Sequence, residues 1–346
     1  MAPDFNQIKP GSNYASVISV DPPVVLGWTG RLFRFGAASV LAPLFRRRRV
    51  TFLLIAKGSV ADEAEARELA DDAHPFMAKH AHHRFEWICN IDGETQLLRG
   101  FGLSAHTHNQ NIFVREDVFR PVGSQRIGFD AVYNGRISPE KRNELAAAVP
   151  KVAFIAYRDP GEHTAEAFHA ACRDLLLKVP GGVLLNTLTD TGCARLPPAE
   201  VNLAYAGSAV GLCLSPREGA MRVAVEYQMA GLPIVATPCR GGRDHYFDPQ
   251  SWKIVPPDVL AIRDAVAEFR GLALPRFVVR SRLMQVIARD RLAFVSFVNE
   301  ILAQEGGRPI FGDSFNRMLG SDRFEQWWDM RAFAADSWAA IGGDLG

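Results

Sequence analysis

Glu218 and Glu226 carry the chain's most suggestive chemistry. They lie in SPREGAMRVAVEYQMAGLPIVATPCRGG, residues 215–242, with seven residues between them. Glu226 is the only charged residue from Val223 to Cys239. A carboxylate in so apolar a stretch is paired, faces solvent in a cleft, or is used. Spacing alone leaves a plainer alternative open. Glu226 could sit on an exposed helical face, with Glu218 as a helix N-terminal charge. His106 and His108 form a second pair, two apart, and at strand spacing they share one face. His80, His82 and His83, with His74 nearby, are not accompanied by ligands at metal-binding spacing and read as surface histidines.

The elements around the two glutamates are legible. The run 210–214 reads as a buried strand, broken by Ser215, Pro216 and Gly219. A helix follows over 220–230, with Met221, Val225 and Met229 on one face. Gly231 takes the place of a helix C-cap glycine, and 232–237 is a second apolar strand. Strand, turn, helix and strand make a βαβ unit. Its helix N-terminus, with the backbone of Gly219, Ala220 and Met221, could receive an anion.

Upstream, the first 22 residues are without periodicity and read as a lead-in arm. A strand over 23–28, the segment Gly27-Trp28-Thr29-Gly30, a helix over 31–45 and a strand over 51–56 follow. That is a common opening for an α/β ligand-binding domain. Further elements are a helix over 62–81, a strand over 84–90, a short helix over 94–101 and strands over 129–133, 150–157 and 182–188. Helices are expected over 164–178, 198–208, 258–269 and 275–304, and a strand over 251–255. The loop after 187, with Arg195 and Leu196, lies where loops line the ligand crevice of such sheets and is the candidate for holding a nucleotide base.

The segment from Glu218 through AGLPIVATPCRGG resembles the donor site of retaining GT-B glycosyltransferases of the family 4 type. Their pattern runs S-x-x-E-G, a second glutamate, G-x-P-V-(V/I)-A-(T/S) and a Gly-Gly turn. Gly135-Arg136-Ile137 with Lys141 resembles their first C-domain loop. Phe119-Arg120-Pro121 resembles their interdomain linker. The expected fold is α/β, GT-B: two Rossmann-like domains with parallel sheets facing across a cleft, the N-terminal one shortened. The expected limits are 1–122, 123–305 and a tail over 306–346 crossing back to the first domain. The family has adjacent glycines where this chain has Gly27-Trp28-Thr29-Gly30.

The resemblance implies transfer of a sugar from a UDP- or GDP-sugar to a hydroxyl on a glycan, lipid-linked sugar or small molecule, with retention and without a metal or other cofactor. Glu218 would hold donor-sugar hydroxyls, and Glu226 the ribose. An N-domain histidine near the reacting sugar, His106 or His108, fits the same pattern. In physical terms, Gly135 lets backbone approach a diphosphate that Arg136 and Lys141 neutralise; a turn residue and a helix-start cation are the plainer reading. A degenerate binding subunit and a nucleotide-sugar epimerase or hydrolase are the alternatives.

The composition is consistent with this. A net charge of +1 supplies no field for nucleic acid. Five scattered cysteines without C-x-x-C spacing suit a reducing compartment, and the expected location is cytoplasmic. The run Arg46, Arg47, Arg48 and Arg49 has two readings, a helix end in water or a contact with anionic membrane lipid.

Overall fold

The computed structural model describes residues 3–30, 32–56, 58–60, 62–123, 126–158, 164–310, 314–319 and 327–342. In chain order the elements are β1 (Ser12–Val20), β2 (Pro23–Trp28), α1 (Ala38–Leu41), β3 (Thr51–Ile55), α2 (Glu63–Lys79), β4 (Arg84–Cys89), α3 (Asp92–Gly100) and β5 (Ala105–Thr107). Next come β6 (Phe129–Arg136), β7 (Val152–Tyr157), α4 (Ala165–Lys178), β8 (Gly182–Leu184), β9 (Leu188–Thr189), β10 (Gly192–Cys193), α5 (Pro198–Ala206), β11 (Ser208–Cys213) and α6 (Arg222–Met229). The last are β12 (Ile234–Ala236), β13 (Trp252–Ile254), α7 (Val259–Leu272), α8 (Arg276–Gln304), α9 (Ser314–Leu319), β14 (Trp327–Asp329) and α10 (Met330–Ile341). By packing, Met1–Phe113 with Ala288–Gly346 form one compact unit and Val114–Ile287 another. Among the described residues no helix is long and apolar enough to cross a membrane.

The first unit is built on a sheet of order β14-β1-β2-β3-β4-β5. Strands β2 to β5 are parallel. The β2 and β3 segments, PVVLGW and TFLLI, are buried almost throughout, as central parallel strands must be. Their side chains alternate between two cores. Val25, Phe52 and Leu54 face a cluster that includes Ala66, Ala70 and Leu98. Val24, Leu26, Leu53 and Ile55 face Phe294, Val298 and Ile301 of α8. Each such side chain contributes about 1.5–3 kcal/mol by leaving water.

The expectation of an arm over 1–22 is overturned by β1, which pairs antiparallel with β2. A register shift between Val17 and Ser19 explains why no periodicity is visible, because a bulge breaks the two-residue alternation. The helix expected over 31–45 shrinks to Ala38–Leu41. Gly36 adopts a left-handed φ of 55° and a Cβ there would meet the Trp28 carbonyl oxygen at 2.5 Å, so the chain turns where the apolar spacing suggested a continuous helix. In the tail, β14 pairs antiparallel with β1, Trp328 opposite Asn13, and Trp338 stacks on Phe45 with centroids 5.1 Å apart.

The histidines expected at the surface include two buried ones, His80 and His83. His83 Nδ1 accepts the Val50 N–H at 3.1 Å. Its Nε2 donates to the Ala42 carbonyl, also at 3.1 Å. His82 Nε2 donates to the Phe45 carbonyl at 2.7 Å. These rings satisfy backbone groups of the segment between α1 and β3, which burial would otherwise leave unpaired. Burial pushes the His83 imidazole down to about 4, against the opposing pull of the Ala42 carbonyl. In the arginine run, Arg48 donates to the Val20 carbonyl and pairs with Asp21, and Arg49 pairs with Glu305 at 2.9 Å.

The second unit holds a wholly parallel sheet of order β13-β12-β11-β6-β7-β8. The chain runs outward from β6 through β7 to β8, returns to β11 on the other side of β6, and continues outward to β13. One face packs against α4 and α7 through Phe168, Leu175, Ile262 and Phe269. The other packs against α5 and α6 and the start of α8 through Tyr205, Val225, Tyr227 and Leu283. The strand expected over 182–188 ends at Leu184, and β9 and β10 form a small antiparallel ribbon after it.

Candidate functional site

In an open α/β sheet the ligand crevice lies outside the carboxyl ends of the strands where the winding direction reverses. Here that point falls between β6 and β11. Strand β6 ends at Arg136, directly after Gly135. Tyr133, one turn of the pleat earlier, is fully buried, and its hydroxyl donates to the Lys141 carbonyl at 2.5 Å. This bond folds the loop after β6 back onto its own strand. The loop after β11 is tied down in the same way. The Glu218 N–H donates to the Arg240 carbonyl at 3.0 Å, and the Arg240 N–H to the Pro216 carbonyl at 2.9 Å.

Both loops contain a non-glycine residue in the left-handed region, Arg142 at φ 49° and Met221 at φ 45°. Among the described residues the only other is Ala273. Such conformations cost about 1–3 kcal/mol each and persist where surrounding bonds impose them. Met221 is the N-cap of α6, and Gly219 and Ala220 immediately precede it.

These loops bring Lys141 and Glu218 together. Lys141 Nζ donates to Glu218 Oε1 in an ion pair whose side chains are only 12% and 13% exposed. Arg136 Nη2 lies 4.0 Å from Oε2 of Glu140, four residues on in the loop after β6.

Glu226 is not on an exposed face; it is 8% exposed. The Tyr205 hydroxyl donates to its Oε2 at 2.9 Å, and Asn134 Nδ2 donates to the Tyr205 oxygen at 2.6 Å. The Asn134 N–H donates to the Tyr227 hydroxyl at 2.7 Å. Glu226 is thus linked through Tyr205 to the carboxyl end of β6, two residues before Arg136. Burial, with the Glu226 charge second, pushes the Tyr205 phenol far above its ordinary range. The phenol therefore stays protonated and donates.

Arg243 is a residue that sequence reasoning missed. Its side chain is fully buried. It donates to the carbonyls of Cys213 at 3.0 Å, Ser215 at 3.4 Å and Thr237 at 2.7 Å, and pairs with Asp244 at 2.6 Å. Burial acts to lower its pKa, but the hydrogen bond to Asp244 and nearby groups raise it overall. One guanidinium thereby fixes the carboxyl ends of β11 and β12, from which the Glu218 loop departs. The signal available in sequence was a lone cation after Gly241-Gly242, which looks like any surface arginine. Arg280 was missed for the same reason. It donates to the carbonyls of Met229, Phe119 and Glu116 and so closes the end of α6.

Arg195 and Leu196 follow β10. Arg195 is exposed. Leu196 is half-buried against the core that contains Tyr205 and Tyr227. Their loop is anchored by Asn186, which accepts from the Ala156 N–H at 2.7 Å and donates to the Ala194 carbonyl at 2.8 Å.

His106 and His108 belong to the first unit. They do share a neighbour, with ring centroids 4.4 and 4.9 Å from that of Phe297. His106 Nε2 is 2.8 Å from Oε2 of the buried Glu86, which also accepts from Ser104 and Arg84. Burial acts to raise the Glu86 pKa, but these donors lower it overall. Burial, with the His106 charge second, pushes His108 down to about 4. Among the described residues no group of three or more His, Cys, Asp or Glu is placed to hold a metal ion.

No protein-family model matches the chain, and a search of curated proteins finds no match. Solved structures do match. Sucrose-phosphate synthase from Thermosynechococcus elongatus aligns with a TM-score of 0.54 at 17% identity, over 74% of this chain and 69% of that one. S. aureus TarM, in complex with fondaparinux, α-GlcNAc-glycerol and UDP, aligns with a TM-score of 0.51 at 12% identity, over 71% of this chain and 51% of TarM. The chain thus spans about half the length of TarM. The fold is α/β of the GT-B glycosyltransferase type.

Proposed function

We propose that this chain is a glycosyltransferase that moves a sugar from a nucleoside-diphosphate sugar, UDP- or GDP-linked, to a hydroxyl of a glycan, lipid-linked sugar or small molecule. The observation that carries the reading is the meeting of Lys141 and Glu218 at the switch point of the second sheet. There a cation for phosphate and an acceptor for sugar hydroxyls stand side by side. Arg136, Lys141 and the backbone N–H groups of Gly219, Ala220 and Met221 would meet the charge that develops on the leaving diphosphate. Glu218 would take donor-sugar hydroxyls, Glu226 the ribose hydroxyls, and the Arg195–Leu196 loop the base. The likeness to TarM, whose structure contains UDP, supports a uridine donor. Retention, independence of metal and the part played by His106 or His108 belong to the same proposal and follow from the motif resemblance. So does a cytoplasmic site of action. Contact with anionic lipid would fall to the run Arg46, Arg47, Arg48 and Arg49.

The test is turnover of UDP- and GDP-sugars by the wild type against Glu226→Ala and Lys141→Ala. Wild-type turnover lost in both variants supports the reading. A wild type that binds no nucleoside diphosphate in a calorimetric screen removes the donor assignment. Equal binding by wild type and both variants removes the site assignment. One observation favours a hydrolase or epimerase as the second reading: His106 Nε2 is 2.8 Å from Glu86 Oε2, and an imidazole paired with a carboxylate is a common acid/base arrangement. Free sugar released without an acceptor would favour it.

A further inference from the structure

We infer that Glu218 makes the donor site discriminate against the free nucleoside diphosphate, by competing with it for Lys141. This rests on the functional reading above and adds to it a means of telling donor from product.

The two groups are positioned, not merely near each other. Lys141 is held through its carbonyl by Tyr133, and Glu218 through its N–H by Arg240. Lys141 directly precedes Arg142, and Glu218 lies three residues before Met221, both of which adopt the left-handed region. Both side chains are nearly removed from water. Separating such a pair is costly because each charge then lacks both its partner and its hydration.

A ligand that takes Lys141 must separate the pair, and the two relevant ligands leave Glu218 in different states. A nucleoside diphosphate supplies anionic oxygens to Lys141, and its hydroxyl donors, those of the ribose, are the ones assigned above to Glu226, so none is left for Glu218. The terminal phosphate brings further negative charge toward the carboxylate. A nucleotide sugar presents its phosphates in the same way and also carries the hydroxyl donors of its sugar. A carboxylate can accept these at two oxygens. Donor binding therefore replaces both halves of the ion pair, while product binding replaces one half and strands the other. Once the sugar has left, re-forming the Lys141–Glu218 pair works against the diphosphate that remains and favours its release.

The experiment is titration calorimetry of the full chain with UDP, GDP, UDP-glucose and GDP-mannose, on the wild type, Glu218→Gln and Glu218→Asp. Glu218→Gln removes the charge. Glu218→Asp keeps the charge but withdraws it from Lys141 by one methylene. Thermal melting checks that each variant is folded, and if one is not, the other carries the test. The expected result is diphosphate binding about tenfold tighter in the variants, as release of a desolvated charge partner allows, with no tightening for the sugar nucleotide. Unchanged or weaker diphosphate binding overturns the inference, and so does equal tightening of both ligands. A wild type that binds none of the four removes the functional reading itself, and this inference with it.

Discussion

Replacing Arg243 by Met keeps much of the apolar stem and removes the guanidinium. Three backbone carbonyls then lose a donor, but not equally. The Cys213 carbonyl keeps the Thr237 N–H at 3.2 Å, and the Ser215 contact is long at 3.4 Å. Only the Thr237 carbonyl loses a short bond, 2.7 Å. Asp244 is 30% exposed and can turn to water. A buried carbonyl left without its donor costs about 1–3 kcal/mol, and breaking a buried ion pair about 3–5 kcal/mol. The overlap of these terms, discounted for the partners that remain, gives about 3–4 kcal/mol of destabilisation. That is a large part of the 5–15 kcal/mol typical of a domain. Urea unfolding followed by circular dichroism measures it. Arg243→Lys should recover about half, since an ammonium keeps the charge but cannot reach three carbonyls at once. If Arg243→Met melts within about 1 kcal/mol of the wild type, the guanidinium does not hold the ends of β11 and β12, and the account of the Glu218 loop fails with it.

The buried His83 predicts an acid-sensitive first unit. Its folded pKa, about 4, lies below the ordinary 6.5, so the folded state favours the neutral ring. The stabilisation is complete above pH 6.5 and is lost as pH falls toward 4, by about 3 kcal/mol for the single group. Urea midpoints at pH 7.5 and 4.5 should diverge in the wild type and diverge less in His83→Gln; equal divergence would sink the assignment. At Met221, the left-handed backbone should make Met221→Gly more stable than Met221→Ala by about 1 kcal/mol. That order reverses the usual penalty for glycine, and finding alanine the more stable would show that the strain is not there.

Much of the second sheet is readable before folding. The apolar runs of β7 and β11 read as strands because a parallel strand covered on both faces has no polar side to display. Gly231 and the four-residue spacing of Val225 and Met229 mark α6 and its end, while Met221, the first of that spacing, is the left-handed N-cap rather than a helical residue. Glu218, Glu226, Gly135, Arg136 and Lys141 are visible as residue types at recurrent spacings. Tyr205 was not, since nothing local distinguishes a phenol that will meet Glu226 from one that fills a core. Strand β1 and its bulge, the turn at Gly36, and the burial of His80 and His83 were hidden too. In each, a long-range partner overrides the local pattern.

The sequence alone thus marked most elements of the second unit and the charges that stand near its strand ends. Those depend on apolar periodicity, glycine and proline, all local properties. Only the tertiary structure decided that Lys141 meets Glu218 across 77 residues of chain, and that Arg243 is a buried clamp. Both follow from β11 returning to lie beside β6. Sheet order is settled by how whole layers bury their faces, and no window of sequence contains that information.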